Sequence, residues 1–293
     1  MNLRTNLLLL ALPGLLFAQP SATMRPALLS SLDVEISSSS KESLEQGSTA
    51  QGTVSVFSTS LSLSGRHSLN ATTALVYGLA YRRHDLDATT ALLPDQLTEL
   101  SLNLGLQHRY SAMWSGAVFI RPGLYSDFED LSSRSLNLPL LAMMNYTPSA
   151  ALTWSFGLNL NAFSDNPVLP IAGVRWRFAP EWTFTIGFPQ SGFTWRTGDR
   201  LSLRAGVGFH GGSFRVTADR GVPGPGGARL ADTLLDFREV RAGLGADVVL
   251  GRGFTLAADL GAVTDRKFDY IDRDFRLDGD AGLYATLALR AAF

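Results

Sequence analysis

Apolar and polar residues alternate strictly over long stretches of this chain. In residues 99–109 the leucines at positions 100, 102, 104 and 106 alternate with Glu, Ser, Asn, Gly and Gln. Residues 151–163, 200–210 and 240–250 repeat the pattern. Period two over ten or more residues predicts a β-strand with one apolar face. Because strands of soluble proteins usually have about five or six residues, this length predicts strands that cross a membrane.

The composition agrees with an all-β membrane protein. The chain is 45% hydrophobic and only 17% charged, whereas ordinary soluble domains carry about 25% charged residues. After the first 18 residues no apolar stretch approaches the length of a membrane-spanning helix, which excludes a helical membrane protein. The absence of cysteine excludes disulfides and thiolate metal sites. The net charge of −1 gives no basis for nucleic-acid binding, and no motif calls for a cofactor.

The first 18 residues have the order of a secretory signal peptide. One cation, Arg4, precedes an apolar run at residues 7–17, and Ala18 supplies a small residue for cleavage. The run is too short to span a bilayer as a helix, which takes about 20 residues. We therefore predict a signal peptide at residues 1–18 and one barrel domain at residues 19–293.

The spacing of the alternating segments predicts a single antiparallel transmembrane β-barrel of about 14 strands. Short connections alternate with others that are mostly longer and richer in Ser, Asp, Gly and Pro. Bacterial outer-membrane barrels have short periplasmic turns, longer outer loops and an even strand number. Without the least regular segments the barrel has 12 strands, which is the alternative. The predicted segments are residues 29–38, 51–64, 69–83, 97–109, 112–127, 135–147, 150–163, 168–178, 181–196, 200–210, 213–220, 236–250, 254–267 and 279–293.

A sheet in hydrocarbon has to close on itself. Each unpaired backbone N–H or C=O there costs several kcal/mol, so the first and last strands are expected to pair. The face that carries Leu, Val, Phe and Trp would then meet lipid, and the face that carries Ser, Thr, Asn, Gly and Arg would line the lumen. On this interpretation the barrel needs no apolar core.

The tryptophans support the same placement. Four of the five lie two to four residues from a predicted short turn and in the apolar phase of their strands: Trp114, Trp154, Trp176 and Trp182. Trp favours the membrane–water interface, where one edge of the ring is apolar and the other is wet. We therefore predict that these four rings form a periplasmic aromatic girdle.

The polar face places charged side chains inside the predicted barrel. Charged rings bias the ion selectivity of a pore, and Arg favours anions. A lumen of 14 strands lies between one filled by side chains, at about eight strands, and an open channel, at about 16–18. The charges therefore either pair and fill the lumen or line a path for small solutes, and the sequence leaves both open. The candidate lumen-lining residues are Arg109, Arg121, Arg175, Arg177, Arg204, Arg215, Arg241, Glu99, Asp247 and Asp259.

A surface enzyme is the alternative to a passive pore, a solute-binding protein or a structural barrel. His84 falls at a predicted outer rim, and the adjacent Asp85 would orient it as a base for a serine. No recognisable motif fixes that serine. The sequence therefore favours a non-enzymatic barrel, with a hydrolase of lipid or peptide as the competing hypothesis.

The last predicted strand carries a family resemblance. Its alternating apolar residues run from Leu283 and end in Phe293. This pattern resembles the assembly signal of Gram-negative outer-membrane barrels, which implies an outer-membrane location, contact with its lipid and recognition by the barrel assembly machinery. The motifs NPVLP at 166–170, GVRW at 173–176 and WTFTIGFP at 182–189 also resemble a group of uncharacterised bacterial outer-membrane barrels. That resemblance implies the fold and no activity.

Overall fold

The computed structural model describes residues 29–221 and 229–293. The predicted signal peptide at residues 1–18 lies outside the described residues. The described residues form one continuous sheet of 17 strand segments. Within the same ranges, no helix is long and apolar enough to cross a membrane.

The segments pair antiparallel with segments of the neighbouring strands, except for one parallel contact between β6 and β13. In chain order they are β1 (Ser31–Gln46), β2 (Thr49–Ser68), β3 (Thr73–Ala88), β4 (Gln96–Arg109), β5 (Trp114–Ile120), β6 (Gly123–Ser126), β7 (Leu136–Asn137), β8 (Leu140–Ser149), β9 (Leu152–Leu160), β10 (Val168–Trp176), β11 (Trp182–Ile186), β12 (Gln190–Arg196), β13 (Leu201–Val216), β14 (Thr233–Gly251), β15 (Phe254–Tyr270), β16 (Phe275–Gly279) and β17 (Gly282–Ala292).

The 17 segments make 14 barrel strands, because three barrel strands are each interrupted once. The pairs β5–β6 and β7–β8 are separated at Pro122 and Pro139, which have no N–H to donate to the ladder. The register with the neighbouring strand continues across the first interruption, since Leu104 pairs with Ile120 and Thr98 with Ser126. The pair β16–β17 is separated at residues 280–281. The prediction of a 14-stranded antiparallel barrel is confirmed.

The barrel is closed by its first and last strands. Residues of β1 from Ser31 to Ser39 pair with residues of β17 from Ala292 to Tyr284. No open edge therefore remains between them. The first residue of β1 and the last residue of β17 lie at the same end of the barrel. That end carries the short turns, which are residues 69–72, 110–113, 150–151, 177–181, 197–200 and 252–253. We call this the short-turn end. The opposite, outer end carries longer connections, including residues 89–95, 127–135 and 217–232.

The predicted strand layout has the wrong connectivity in two places, and β1 and β2 extend beyond their predicted ends to Gln46 and Ser68. The predicted segment 181–196 is a hairpin, in which β11 and β12 pair with each other and Trp182 lies opposite Trp195. The chain reverses at Gly187, whose φ of +146° suits glycine and whose added Cβ would lie 3.0 Å from the Cα of Gly173. The predicted segments 200–210 and 213–220 form the single strand β13. The two errors cancel in the strand count, and the connection at 197–200 moves to the short-turn end.

The apolar face of the strands is the outer surface of the barrel. On β4, Leu100, Leu102, Leu104 and Leu106 are 38–50% exposed, whereas the intervening Glu99 and Ser101 are buried. This inverts the arrangement in soluble proteins and is the surface that hydrocarbon requires. The protein is an outer-membrane barrel, with its short turns at the periplasmic side.

The outer half of the lumen contains an apolar core, contrary to the expectation that the inward face is polar throughout. On β2, Val54 and Val56 face inward and are fully buried, although nearer the short-turn end the apolar residues Leu61 and Leu63 face outward. We call this core the plug. Its buried members are Leu44, Val54, Val56, Leu86, Leu92, Leu93, Leu97, Tyr125, Phe214, Val216, Leu230, Leu235, Phe237, Phe268, Tyr270, Phe275 and Leu277.

Candidate functional site

The barrel wall differs in height around its circumference. The strands β1, β2, β3, β13, β14 and β15 have 16–20 residues each. By contrast β9 and β10 have nine residues each, β11 has five and β12 has seven. A β-strand needs about 9–11 residues to span a bilayer. The β11–β12 hairpin is therefore too short to cross it.

A cavity of about 190 Å³ lies in the lumen beside this short wall. It is bordered on one side by the β11–β12 hairpin and on the others by β13, β14, β15, β17 and β1. Charged and polar side chains dominate the lining, which includes Glu35, Gln190, Arg204, Arg241, Asp259 and Arg290. The cavity can therefore hold a small molecule with polar groups.

Ion pairs organise the cavity wall toward the short-turn end. The Arg204 guanidinium lies 3.0 Å from carboxylate oxygens of both Asp247 and Asp259. Arg290 lies 3.2 Å from Asp33 and 3.5 Å from Asp247. These side chains are about one-fifth to two-fifths exposed, so water screens the pairs and each contributes little to stability. Cations and anions alternate on the wall, so neither sign dominates it.

A buried ionic cluster separates the cavity from the plug. Glu239 accepts hydrogen bonds from Arg241 at 2.6 Å and from Arg266 at 2.8 Å, and all three side chains are at most 3% exposed. Arg266 also donates to the Ser39 hydroxyl at 2.6 Å and to the Val54 carbonyl at 3.1 Å. Because Arg241 lines the cavity and Val54 belongs to the plug, the cluster joins the two regions.

A second buried ionic cluster lies on β3, β4 and the β5–β6 interruption. Glu99 is 3.1 Å from Arg121 and 3.4 Å from Arg82. The Ser101 hydroxyl donates to Glu99 at 2.8 Å. Each ion therefore has opposite charge beside it in a site that water hardly reaches, which is the condition for burying charge.

The connection at residues 89–95 folds into the plug. Leu92 and Leu93 are 6% and 2% exposed and pack within it. The Tyr270 hydroxyl donates a hydrogen bond to the Leu92 carbonyl. The connection between β3 and β4 thus helps to close the outer end of the lumen.

The residues named for a surface enzyme do not assemble. His84 is 4% exposed, and its ring lies 5.1 Å from the ring of Phe237 between centroids. Its Nδ1 is 2.8 Å from the Ser58 hydroxyl. The predicted partner Asp85 lies on the opposite face of β3 and accepts from Arg83 at 2.7 Å. His84 and Ser58 therefore lie beside the plug, and Asp85 is not placed to orient the histidine.

The structure divides the predicted lumen-lining residues into three groups. Six of them belong to the ionic clusters or the cavity wall: Glu99, Arg121, Arg204, Arg241, Asp247 and Asp259. Arg109, Arg175 and Arg177 are exposed near the short-turn end, and none of them forms an ion pair in the described part of the chain. Arg177 follows the last residue of β10 and lies in a turn.

The placement of Arg215 on the lumen face is wrong. Since β13 is continuous, residues 204 and 215 have opposite parity and lie on opposite faces. Arg215 instead donates to Asp232 in the outer loop at 3.0 Å through its Nε. Hydrogen bonding by Arg215 lowers the pKa of the Asp232 carboxyl below its usual range.

Sequence reasoning missed Arg266, which is fully buried in the ionic cluster. A bulge explains this. Val240 pairs with Asp265, but Arg241 pairs with Val263, so Thr264 is an extra residue and the inward phase of β15 shifts by one. Nothing in the alternation of apolar residues marks that shift.

All five tryptophans lie at the short-turn end and are 37–50% exposed. Trp195, which the girdle prediction left out, stacks on Trp182 with ring centroids 5.5 Å apart. The other three are Trp114, Trp154 and Trp176. Phe293, the predicted assembly signal, is 63% exposed. Among residues 29–221 and 229–293, no three acidic or histidine side chains form a group that could hold a metal ion.

Comparison with known proteins adds a family and a fold. The model of a family described as "Domain of unknown function (DUF6268)" matches residues 32–277. No curated protein matches the chain.

Solved structures that resemble the chain include three proteins of Pseudomonas. An outer membrane channel from Pseudomonas putida F1 is 12% identical with a TM-score of 0.51, and the match covers 94% of this chain and 100% of that one. A FadL homologue from Pseudomonas aeruginosa is 11% identical, with a TM-score of 0.43 and 90% of both chains covered. The Pseudomonas putida toluene transporter TodX is 7% identical, with the same TM-score and coverage. At these identities the first comparison shows a shared fold, and the other two carry no argument.

Proposed function

This chain belongs to the DUF6268 family, and on that premise we propose that it is an outer-membrane channel for small solutes, closed in its outer half. One observation carries the proposal. The polar cavity of about 190 Å³ lies in the short-turn half of the lumen, whereas the apolar plug fills the outer half. A purely structural barrel would need no cavity, and a general porin would need a continuous aqueous path.

The plug sets the condition for passage. A solute that crosses the outer end has to displace Leu92 and Leu93 of the 89–95 connection from the plug. That connection is joined to β15 through the hydrogen bond from Tyr270 to Leu92. Passage therefore depends on a conformational change in this connection, and the native barrel rests in its closed state.

The charges of the cavity favour solutes that carry both donors and acceptors. Arg204 and Asp259 form an ion pair on the cavity wall, and Asp247 also pairs with Arg204. A wall in which cations and anions alternate gives a weaker bias toward anions than an Arg ring would. We propose a small polar solute of low net charge for the cavity.

Two further parts of the proposal concern the membrane. The five exposed tryptophans would anchor the short-turn end at the periplasmic interface, as an aromatic girdle does. The exposed Phe293 at the end of the last strand would be recognised by the barrel assembly machinery.

Ion conductance in planar bilayers tests the closed channel. We expect the native barrel to be nearly silent and the double variant Leu92→Ser, Leu93→Ser to show a severalfold higher open probability, because polar residues destabilise the plug. Leu131→Ser, a change at an exposed leucine of another outer loop, is the matched control and should leave the barrel silent. A native barrel with large, steady conductance would contradict the proposal, as would a folded double variant that stays silent.

A further inference from the structure

The barrel wall has a gap above the β11–β12 hairpin. The strand β10 pairs with β11 only at Val174, Arg175 and Trp176, so residues 168–173 have no ladder partner on that side in the described part of the chain. On the other side, β13 pairs with β12 only as far as Gly208. One backbone hydrogen bond follows, from the Phe209 N–H to the Pro189 carbonyl. We call the space between these two strand edges the lateral gap.

The top of the lateral gap is closed by strands that are not neighbours in the barrel. Ser126 of β6 pairs in parallel with Arg215 of β13, and the Asp127 N–H donates to the Arg215 carbonyl at 3.0 Å. The tall strands therefore meet above the short ones. Along β13 the gap extends from Phe209 to Arg215, a distance of about 20 Å at the usual rise per residue. Two strands are missing from it, so its width between strand edges is at most about 14 Å and falls to zero where β6 meets β13.

The gap lies at membrane depth. The hairpin rises from Trp182 to Ile186, which is about 13 Å along the strand, whereas the apolar band of an outer-membrane barrel is about 25 Å tall. Ile186 is 50% exposed on the outer surface, as a lipid-facing residue should be. Unpaired backbone is tolerated at this depth only where it is buried in protein or lines a water-filled cavity. Ile171 and residues 211–214 on the two edges are buried. Protein therefore covers this part of the gap, and a molecule in the bilayer reaches the lumen only when the covering residues move.

The surface inside the gap has an apolar part and a polar part. Phe188, at the hairpin tip, packs against an apolar cluster on the lumen side that includes Phe119 and Ile171. The adjacent Gln190 and His210 line the polar cavity. A molecule that enters sideways would meet an apolar surface for its chain or ring and polar groups for its head.

One connection lies at the upper edge of the gap. Residues 161–167 join β9 to β10, and Phe163 of this connection packs against the plug. The connection is held at its start by Asn161, whose side-chain oxygen accepts from Asn137 at 2.6 Å. Its position makes it the element that limits the opening.

We propose that the lateral gap is a portal through which small single-chain amphiphiles move between the outer leaflet and the lumen cavity. This inference rests on the proposed function. It narrows the solute to an amphiphile whose polar head, of low net charge, occupies the cavity, and it names a route for that solute. The plug closes the outer mouth, so the portal gives the cavity a second entrance that bypasses the plug. The 161–167 connection controls its width.

Thiol labelling from the lipid phase tests the portal, and the absence of native cysteine makes single-cysteine variants specific. Gln190→Cys and, as a second variant, Phe188→Cys are reconstituted in vesicles and treated with N-dodecylmaleimide. Leu158→Cys on the lipid-facing surface of β9 is the positive control, and Leu97→Cys in the plug is the negative control. A charged, water-soluble thiol reagent is applied to the same vesicles in parallel.

We expect Gln190→Cys to react with N-dodecylmaleimide at least about tenfold faster than Leu97→Cys, since movement of the 161–167 connection opens a path from the bilayer past the unpaired strand edges. Replacing residues 162–166 with two glycines should raise that rate. Labelling of both gap variants as slow as Leu97→Cys overturns the portal. If the water-soluble reagent still reacts, the proposed channel survives without it, whereas failure of both reagents argues against both proposals.

Discussion

The outer and short-turn halves of the barrel use the same strands for opposite purposes. In the outer half, the inward side chains are Leu, Val, Phe and Tyr, and they pack as the core of a soluble protein does. In the short-turn half, charged and polar inward side chains surround a cavity beside β11–β15, and a smaller apolar cluster that includes Val76 and Phe119 lies on β3 and β5. The change occurs at the cluster of Glu239, Arg241 and Arg266. The comparison shows that a lumen can be closed by reversing the apolar phase within a strand, with no separate plug domain.

The tall and short strands around the circumference of the barrel also differ in what they enclose. The tall strands meet one another above the short ones through the contact between β6 and β13. The outer half is thus a narrower barrel that excludes β7–β12. Filling this narrower barrel takes fewer side chains, which explains why 17 buried residues suffice for the plug.

The largest expected effect concerns the charge at the boundary between the halves. Glu239→Ala leaves Arg241 and Arg266 buried without a counter-charge, so we expect the free energy of unfolding to fall by about 3–5 kcal/mol. The matched change Asp259→Ala, on the partly exposed cavity wall, should cost about 1 kcal/mol or less. Urea-induced unfolding of both variants in lipid vesicles measures the difference. If both variants lost the same free energy of unfolding, Glu239 and Asp259 would be equally hydrated and the contrast between the two halves would be wrong.

The second prediction tests the depth of the β11–β12 hairpin in the bilayer through the stability cost of an added arginine. Arginine on the lipid face costs about 2–4 kcal/mol at the bilayer midplane and about 0–1 near the interface. We expect Ile186→Arg, at the hairpin tip, to cost as much as Leu104→Arg on the tall strand β4. Leu131→Arg in an outer loop is the control and should be nearly neutral. If Ile186→Arg is also nearly neutral in unfolding experiments, the hairpin reaches the interface and the gap is not at membrane depth.

The smallest expected effect is that the rate of proteolysis in the outer loop at 217–232 depends on pH. Arg215 lowers the pKa of Asp232, chiefly by a side-chain hydrogen bond. A depressed folded-state pKa means that the contact contributes stability above the unfolded value of about 3.9 and loses it as the pH falls through the folded value. Pepsin cleavage of this loop should therefore accelerate below about pH 4. Asp232→Asn should be cut faster already at higher pH, and Asp130→Asn should behave as the native protein.

The alternation of apolar residues was sufficient to predict the barrel, its outward apolar face and the position of most short turns. The hairpin was missed because residues 182–196 alternate almost without a break. A signal was nevertheless present, since the apolar phase changes from even positions at Trp182 and Ile186 to odd positions at Phe193 and Trp195. Within one strand the outward positions keep one parity, so this change indicates a reversal or a bulge.

The plug leaves a similar trace in the sequence. On β2 the buried Val54 and Val56 have even numbers, and the outward Leu61 and Leu63 have odd ones. Read as a single alternating strand, the segment has apolar residues on both faces at different heights. The meeting of β6 with β13 leaves no such trace, because it depends on contacts between strands far apart in the sequence.

Solvent access to two lumen positions tests most directly whether the lumen is open in one half and closed in the other. Thr286→Cys lies in the cavity wall and Val56→Cys in the plug, and both residues face inward. In vesicles, a small charged thiol reagent should modify Thr286→Cys readily and Val56→Cys more than about a hundredfold more slowly, because plug residues react only when local structure opens. Equal, rapid modification at both positions would reveal a continuous aqueous pore and contradict this account.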